Sequence, residues 1–247
     1  MSLIDSLPEL QQRFESECIT GTWLTDEIEK RIGSFLFSSV DSSVAGPLQT
    51  VVRELVQNSI KANLKRLVFS RNNINPLRPG DYARGMEQFH RSLADYDRYY
   101  FASEFNRENI RFEMIFSVHR RVSVLHVSNP GRLFTQEDER IRRKFLASEK
   151  VQGLYQFYLN YSDLAEGTGM GIALAHILLK QLGLDPRLLS IFTEERLDLT
   201  VSRLIIPRSP DYRSPRQRFE NLIKERQSDP QVLREHLRMV GMPFLDE

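Results

Sequence analysis

Three glycines at every second position, Gly167, Gly169 and Gly171, constrain this chain more than any other feature. They stand in Glu166-Gly167-Thr168-Gly169-Met170-Gly171, and an apolar run from Ile172 to Leu179 follows at once. This spacing suits neither a strand interior nor a helix interior, where glycine destabilises. It suits a tight turn whose backbone comes close to something bulky. The apolar run predicts a helix starting at Met170 or Gly171 and ending near Gly183. The unpaired N–H groups of its first turn then face the loop, which makes an anion site. A Walker loop is excluded, because no Gly-Lys-Ser/Thr follows. A dinucleotide fingerprint is excluded too, because a polar loop rather than a strand precedes the glycines. Alone, the run also describes an ordinary flexible loop.

A second constellation precedes it, in Thr50-Val51-Val52-Arg53-Glu54-Leu55-Val56-Gln57-Asn58-Ser59-Ile60-Lys61-Ala62-Asn63. At about 100° per residue, Val52, Leu55, Val56 and Ser59 gather on one side of a helix. Glu54, Asn58 and Lys61 gather nearly opposite, one or two turns apart, so their side chains stack along one stripe. This set suits a magnesium–phosphate complex. The Asn58 oxygen is a hard ligand for Mg²⁺. Glu54 can orient or deprotonate an attacking group. Lys61 can neutralise phosphate charge. The plain alternative is a solvated outer face of an amphipathic helix.

Between these two lies Val127-Ser128-Asn129-Pro130-Gly131, which by itself reads as a strand ending in a turn. Taken in order, the three segments resemble the GHKL superfamily of gyrase, Hsp90, histidine kinases and MutL, whose ATP-binding unit is the Bergerat fold. The Glu54–Lys61 helix resembles the family's N box, nearest its histidine-kinase form. Asn129-Pro130-Gly131 stands where its G1 box would be, and Gly167–Gly171 resembles its G2 box.

The resemblance covers residues 46–207 and implies an α+β fold: a two-layer sandwich of a mixed sheet with helices on one face. It implies ATP and Mg²⁺ as cofactors. Asn58 would hold the metal, Glu54 would activate the reacting group and Lys61 would touch a phosphate. Gly167, Thr168, Gly169, Met170 and Gly171 would shape the phosphate loop. Residues 132–165 would form a mobile lid, in which Arg140, Arg142, Arg143 or Lys144 would reach the γ-phosphate. The chain departs from the family at Asn129, where aspartate is usual. The Asn129 oxygen can still accept the bond from an adenine amino group, while its NH₂ could equally donate to a guanine carbonyl. Gly131 would sit beside the base.

The remaining sequence frames this domain. With 34 Lys+Arg against 33 Asp+Glu, the 247 residues carry a net charge of +1, so no global basic field speaks for nucleic acid. Cys18 stands alone, which excludes an intrachain disulfide and a cysteine-based zinc site and suits a reducing, cytoplasmic compartment. No stretch of about 18 apolar residues predicts a membrane span. The opening Met1-Ser2-Leu3-Ile4-Asp5 predicts no secretory signal.

Residues 1–45 read as helical, from the spacing of Leu7, Leu10 and Phe14 and a second helix near 25–37. Pro47 reads as the first residue of the next helix, which ends near Asn63. Leu64–Ser70 reads as a strand, 71–108 as an insertion with a helix near 81–103, and 110–118 and 122–127 as paired strands. The stretches 189–193 and 197–206 read as a hairpin, and 208–247 as a helical tail.

No histidine precedes residue 90, so the helical hairpin that carries a histidine kinase's own phosphoacceptor is missing. The resemblance then implies a phosphotransferase acting in trans on a partner protein. A slow ATPase switch and a non-catalytic nucleotide-binding regulator are the alternatives. The 1–45 segment and the tail would be the dimer or partner elements.

Overall fold

The computed structural model describes residues 13–94, 98–161, 170–209, 212–227 and 229–233. The elements run β1 (Arg13–Gly21), α1 (Asp26–Ser39), α2 (Ser42–Arg71), α3 (Pro79–Ala94), α4 (Arg98–Arg107), β2 (Phe112–His119), β3 (Val122–Pro130), α5 (Thr135–Glu149) and α6 (Leu154–Asn160). Then come α7 (Met170–Gln181), β4 (Leu189–Glu194), β5 (Leu199–Pro207) and α8 (Pro215–Arg226). The fold is α+β. Its five strands form one open antiparallel sheet in the order β1-β2-β3-β5-β4, where a mixed sheet was expected. The hairpin explains the difference: the chain leaves β3, lays down β4 at the sheet edge, and returns through β5 into the place beside β3.

The chain divides into two compact units, one of residues 18–115 and 125–204, the other of 1–17, 116–124 and 205–247. The first holds the motifs. At its centre α2 runs for 30 residues, not 17, and Leu64–Ser70 is helix rather than strand. Leu64, Leu67 and Val68 are buried at helical spacing, so packing overrides the β preference of Val68-Phe69. The helix also begins before Pro47. Asp41 caps it by accepting from the Ser43 N–H at 2.8 Å, and Pro47 lies inside at the loss of one backbone bond.

Helix α1 begins at its Thr25 cap and packs on α2 through Ile32 and Leu36. Helix α7 packs on α2 and on α5. Arg13–Gly21 is a strand, against the helix expected there, and Leu7 and Leu10 lie outside the described residues. Ile19 is buried between exposed Cys18 and Thr20, a period of two that the short N-terminal leucine spacing masked. The insertion folds as α3 and α4.

The β4–β5 hairpin pairs Leu189 with Leu204 through to Glu194 with Leu199. Its turn ends on Asp198 in the left-handed region, φ 53°.

In the second unit, Arg208 N–H donates to the Arg121 carbonyl and its guanidinium to the His119 carbonyl, at 2.9 and 3.0 Å. Helix α8 starts on a reciprocal Ser214–Gln217 capping box and buries Phe219 with Leu233. Among the described residues, no helix is long and apolar enough to cross a membrane.

Two buried histidines tie stability to pH. Burial, then the nearby Arg203, pushes His126 down to about 3. Burial, then Lys180, pushes His176 down to about 4. Both are neutral in the fold near pH 7, whereas an unfolded histidine titrates near 6.5. Below about pH 6.5 the unfolded chain takes up protons first, so stability falls on acidification and is fully present above 6.5. The melting temperature is expected to drop between about pH 6.5 and 4, and to drop less in His176→Gln and His126→Asn. Equal slopes in wild type and both variants would refute this origin.

Candidate functional site

The site is built on α2. Helix α7 meets it with Gly171, and the approach is so close that a Cβ there would overlap a Glu54 carboxylate oxygen and lie 3.4 Å from Asn58 Nδ2. The start of the glycine-run helix is therefore seated on the Glu54–Asn58 stripe, and any side chain there would have to displace the Glu54 carboxylate. Met170 is half-buried beside it. Gly167, Thr168 and Gly169 lie outside the described residues.

A pocket of about 110 Å³ opens along the same stripe. Asn58 and Lys61 line it from α2, Ile172 from α7, and Asn129 from the end of β3. Thr200 and Ser202 of β5 and Ile191 of β4 complete its sheet side. Three separate stretches of sequence thus meet at one cavity. Glu54 is half-buried next to Gly171 but does not line this pocket.

Asn129 is buried, and its amide orientation follows from its partners. Its Nδ2 donates to the Pro130 carbonyl at 3.3 Å, where a flipped oxygen would face another oxygen. Its Oδ1 accepts from the Ser59 hydroxyl at 3.0 Å. One lone pair and one N–H remain for a ligand. Ser59 therefore belongs to the site, not to the far side of the helix.

Gly131 follows at φ +85°. Its carbonyl accepts from Thr200 Oγ1 at 2.7 Å and from Arg66 at 3.1 Å. A Cβ on Gly131 would lie 2.5 Å from Arg66 Nε, so the turn and the guanidinium fit closely. Arg66 also donates to Arg132 O and Thr200 Oγ1, and sits over the Phe134 ring. Burial lowers it to about 10, which still leaves it charged at neutral pH.

The expected lid stretch is largely helix. Helix α5 is anchored to α7 by Ser148 Oγ against His176 Nδ1 at 2.8 Å. Lys180 Nζ also donates to the Glu149 and Val151 carbonyls, at 3.1 and 2.6 Å. Ala147 and Val151 pack with Phe157, Ala173 and Ile177. Of the four cations considered for the γ-phosphate, Arg140 and Lys144 line the pocket. Arg142 is held by Asp138 and the Ile191 carbonyl, and Arg143 is exposed. Burial and then Arg140 push Lys144 down to about 8.

Several pocket residues escape sequence reading. Lys65 and Glu137 form an ion pair inside the pocket, both buried. Burial, then Arg66 and Arg140, push the Lys65 ammonium well below the usual lysine range. A lysine next to a helix's apolar face reads as solvated, so nothing in the pattern marked it. Met86 and Phe89 of α3 also line the pocket, which gives the insertion a wall of the site. Lys61, Lys65, Arg140 and Lys144 face only Glu137 as an acid among the described lining residues, so the pocket is electropositive.

No family model matches the chain, and no solved structure does. An uncharacterized protein of Treponema pallidum (strain Nichols) is 28% identical to it over 182 residues, 73% of this chain. The chain matches 35% of that protein's length.

Proposed function

We propose that residues 46–207 are a Bergerat-type domain that binds Mg-ATP, and that the protein is a histidine-kinase-like phosphotransferase acting in trans on a partner protein. The observation that carries this reading is the seat of Gly171 on Glu54 and Asn58, with the Asn129 turn across the pocket. Asn58 and Lys61, Asn129, and Ile172 just beyond the glycine run line one pocket, which supports this reading. A pocket with an excess of ammonium and guanidinium groups suits a triphosphate.

The metal fits the donors. Among the described residues no group of three or more His, Cys, Asp or Glu gathers. Mg²⁺ on a nucleotide does not need such a cage, because it takes one or two protein oxygens and completes its shell with phosphate and water. Asn58 would supply such an oxygen, with Glu54 one turn away to activate the reacting group. Asn58 Nδ2 is buried without a partner, which leaves an N–H for a phosphate oxygen, while Oδ1 is the atom that would meet the metal.

Phosphotransfer in trans rests on the resemblance: His119, His126 and His176 are buried and out of reach of a γ-phosphate in the folded chain, His90 is exposed on α3, and His236 lies outside the described residues. The slow ATPase switch is the second reading, favoured by the docking of α5 on α7. The pocket of about 110 Å³ is below the roughly 300 Å³ of an ordinary ligand site, so nucleotide entry must shift α5. A cytoplasmic location, a partner protein and a homodimer belong to the same proposal.

Thermal unfolding with ATP, ADP and GTP, with and without Mg²⁺, tests it. At 100 times its Kd, a ligand stabilises by about 2.7 kcal/mol. An ATP-induced shift that needs Mg²⁺ and disappears in Asn58→Ala is expected. The absence of a shift with every nucleotide would overturn the proposal.

A further inference from the structure

We propose that α2 borders a second ligand site, for a small amphiphilic anion: an apolar or planar body carrying a carboxylate, sulfonate or phosphate. A pocket of about 370 Å³ lies between the segment after β1, one stripe of α2 and the end of α3. That volume falls within the usual range of small-molecule sites, about 300–1,000 Å³. Trp23, Ile60, Leu64 and Leu93 supply apolar wall. Its polar edge is Gln57 and Lys61, one turn apart on α2 and so stacked side by side.

The state of those two groups is decisive. Neither Gln57 nor Lys61 has a hydrogen-bond or ion-pair partner among the described residues, although both are half-buried. Glu29, the one acid on the lining, is already paired with Arg53 at 3.1 Å. The pocket therefore offers a flat apolar surface, an amide and an unmatched ammonium. An uncharged apolar ligand would leave Lys61 unmatched, and a cation would be repelled by it. An anion with an apolar body meets both demands.

Lys61 also lines the 110 Å³ pocket assigned above to Mg-ATP. One ammonium then serves two anions on adjoining sides of a helix. The two ligands should weaken each other's binding, by the same factor in each direction. The second site stands on its own geometry; only this antagonism rests on the Mg-ATP reading.

Trp23 is the chain's single tryptophan, so it reports on the pocket directly. The experiment titrates the full chain with 1-anilinonaphthalene-8-sulfonate and, separately, with the neutral N-phenyl-1-naphthylamine. Saturable quenching of Trp23 emission by the sulfonate is expected, with the neutral probe at least tenfold weaker. Lys61→Gln should weaken sulfonate binding at least fivefold, and Gln57→Leu should weaken it less. Circular dichroism melting verifies that both variants fold. Unsaturable quenching, equal affinity for the two probes, or an unchanged affinity in Lys61→Gln would overturn the proposal. Saturating Mg-ATP should weaken the sulfonate severalfold. If Mg-ATP has no effect while the Lys61 dependence holds, the anion site stands and the sharing of Lys61 between the two sites fails; the nucleotide assignment is then judged by the thermal shift alone.

Discussion

Glu137→Gln is expected to destabilise the fold by about 3–5 kcal/mol, the usual loss when one partner of a buried ion pair is removed. Lys65 and Glu137 are each less than a tenth exposed, and they are paired. The neighbours make the loss worse: Arg66 and Arg140 are the charges acting on Lys65 besides burial, and both are cations. Without the carboxylate, the Lys65 ammonium sits in a dry, positive site or sheds its proton. Glutamine keeps the other duty of Glu137, whose Oε2 accepts from Phe134 N at 3.0 Å and so caps α5. The loss can then be assigned to charge rather than to the cap.

The sign of the pH dependence follows. Removing the acid pushes Lys65 further below its unfolded value of 10.5, so the unfolded variant binds more protons than the folded one over a wider range. Stability of the variant rises with pH across that range, and its deficit against wild type narrows as alkali neutralises Lys65. Urea midpoints at pH 7 and 9.5 measure this. Lys65→Met combined with Glu137→Gln should recover much of the loss, because no charge is then left buried. A single variant within about 1 kcal/mol of wild type at pH 7 would mean that the pair is solvated and contributes little.

Of the candidate site, Gly171 stood out because alternating glycines suit neither helix nor strand. Asn58, Asn129 and Gly131 obey local rules of helix and turn, and stood out only when the three segments were taken together in order. What stayed hidden obeys local rules and is displaced by tertiary contact. Lys65 looks like any surface lysine, and its burial comes from α5, which is 70 residues further along the chain. Met86 and Phe89 look like the core face of an amphipathic helix, and they are; that face also happens to border the pocket.

The same logic explains the errors in the fold. Leu64–Ser70 has strand-like composition, but it continues a helix already nucleated and buried on both sides, and propagation is easier than a new start. Arg13–Gly21 is a strand because it adds to β2, a long-range pairing that local spacing does not report.

Gly171→Ala is expected to leave the fold nearly as stable as wild type and yet reduce phosphate transfer or hydrolysis at least 100-fold. One methyl group there would overlap the Glu54 carboxylate. Something must move, and the choice is between backbone and side chain. The obstructing atom is the end of a flexible, half-buried side chain, so Glu54 swings away and α7 stays. Alanine also gains about 1 kcal/mol over glycine in a helix, which offsets the strain. On the proposed phosphotransferase reading, the function lost is the acid–base work assigned to Glu54, and a misplaced acid–base group costs about 10²–10⁴ in rate.

A double-mutant cycle isolates the cause. Glu54→Ala removes the obstruction, so Gly171→Ala added to it should cost little more activity, whereas independent effects would multiply. If Gly171→Ala instead unfolds the protein, α7 cannot yield and the seat is structural. If it retains full activity, Glu54 does not act from the position that Gly171 creates for it, and the reading of this stripe as the reacting side of the site falls.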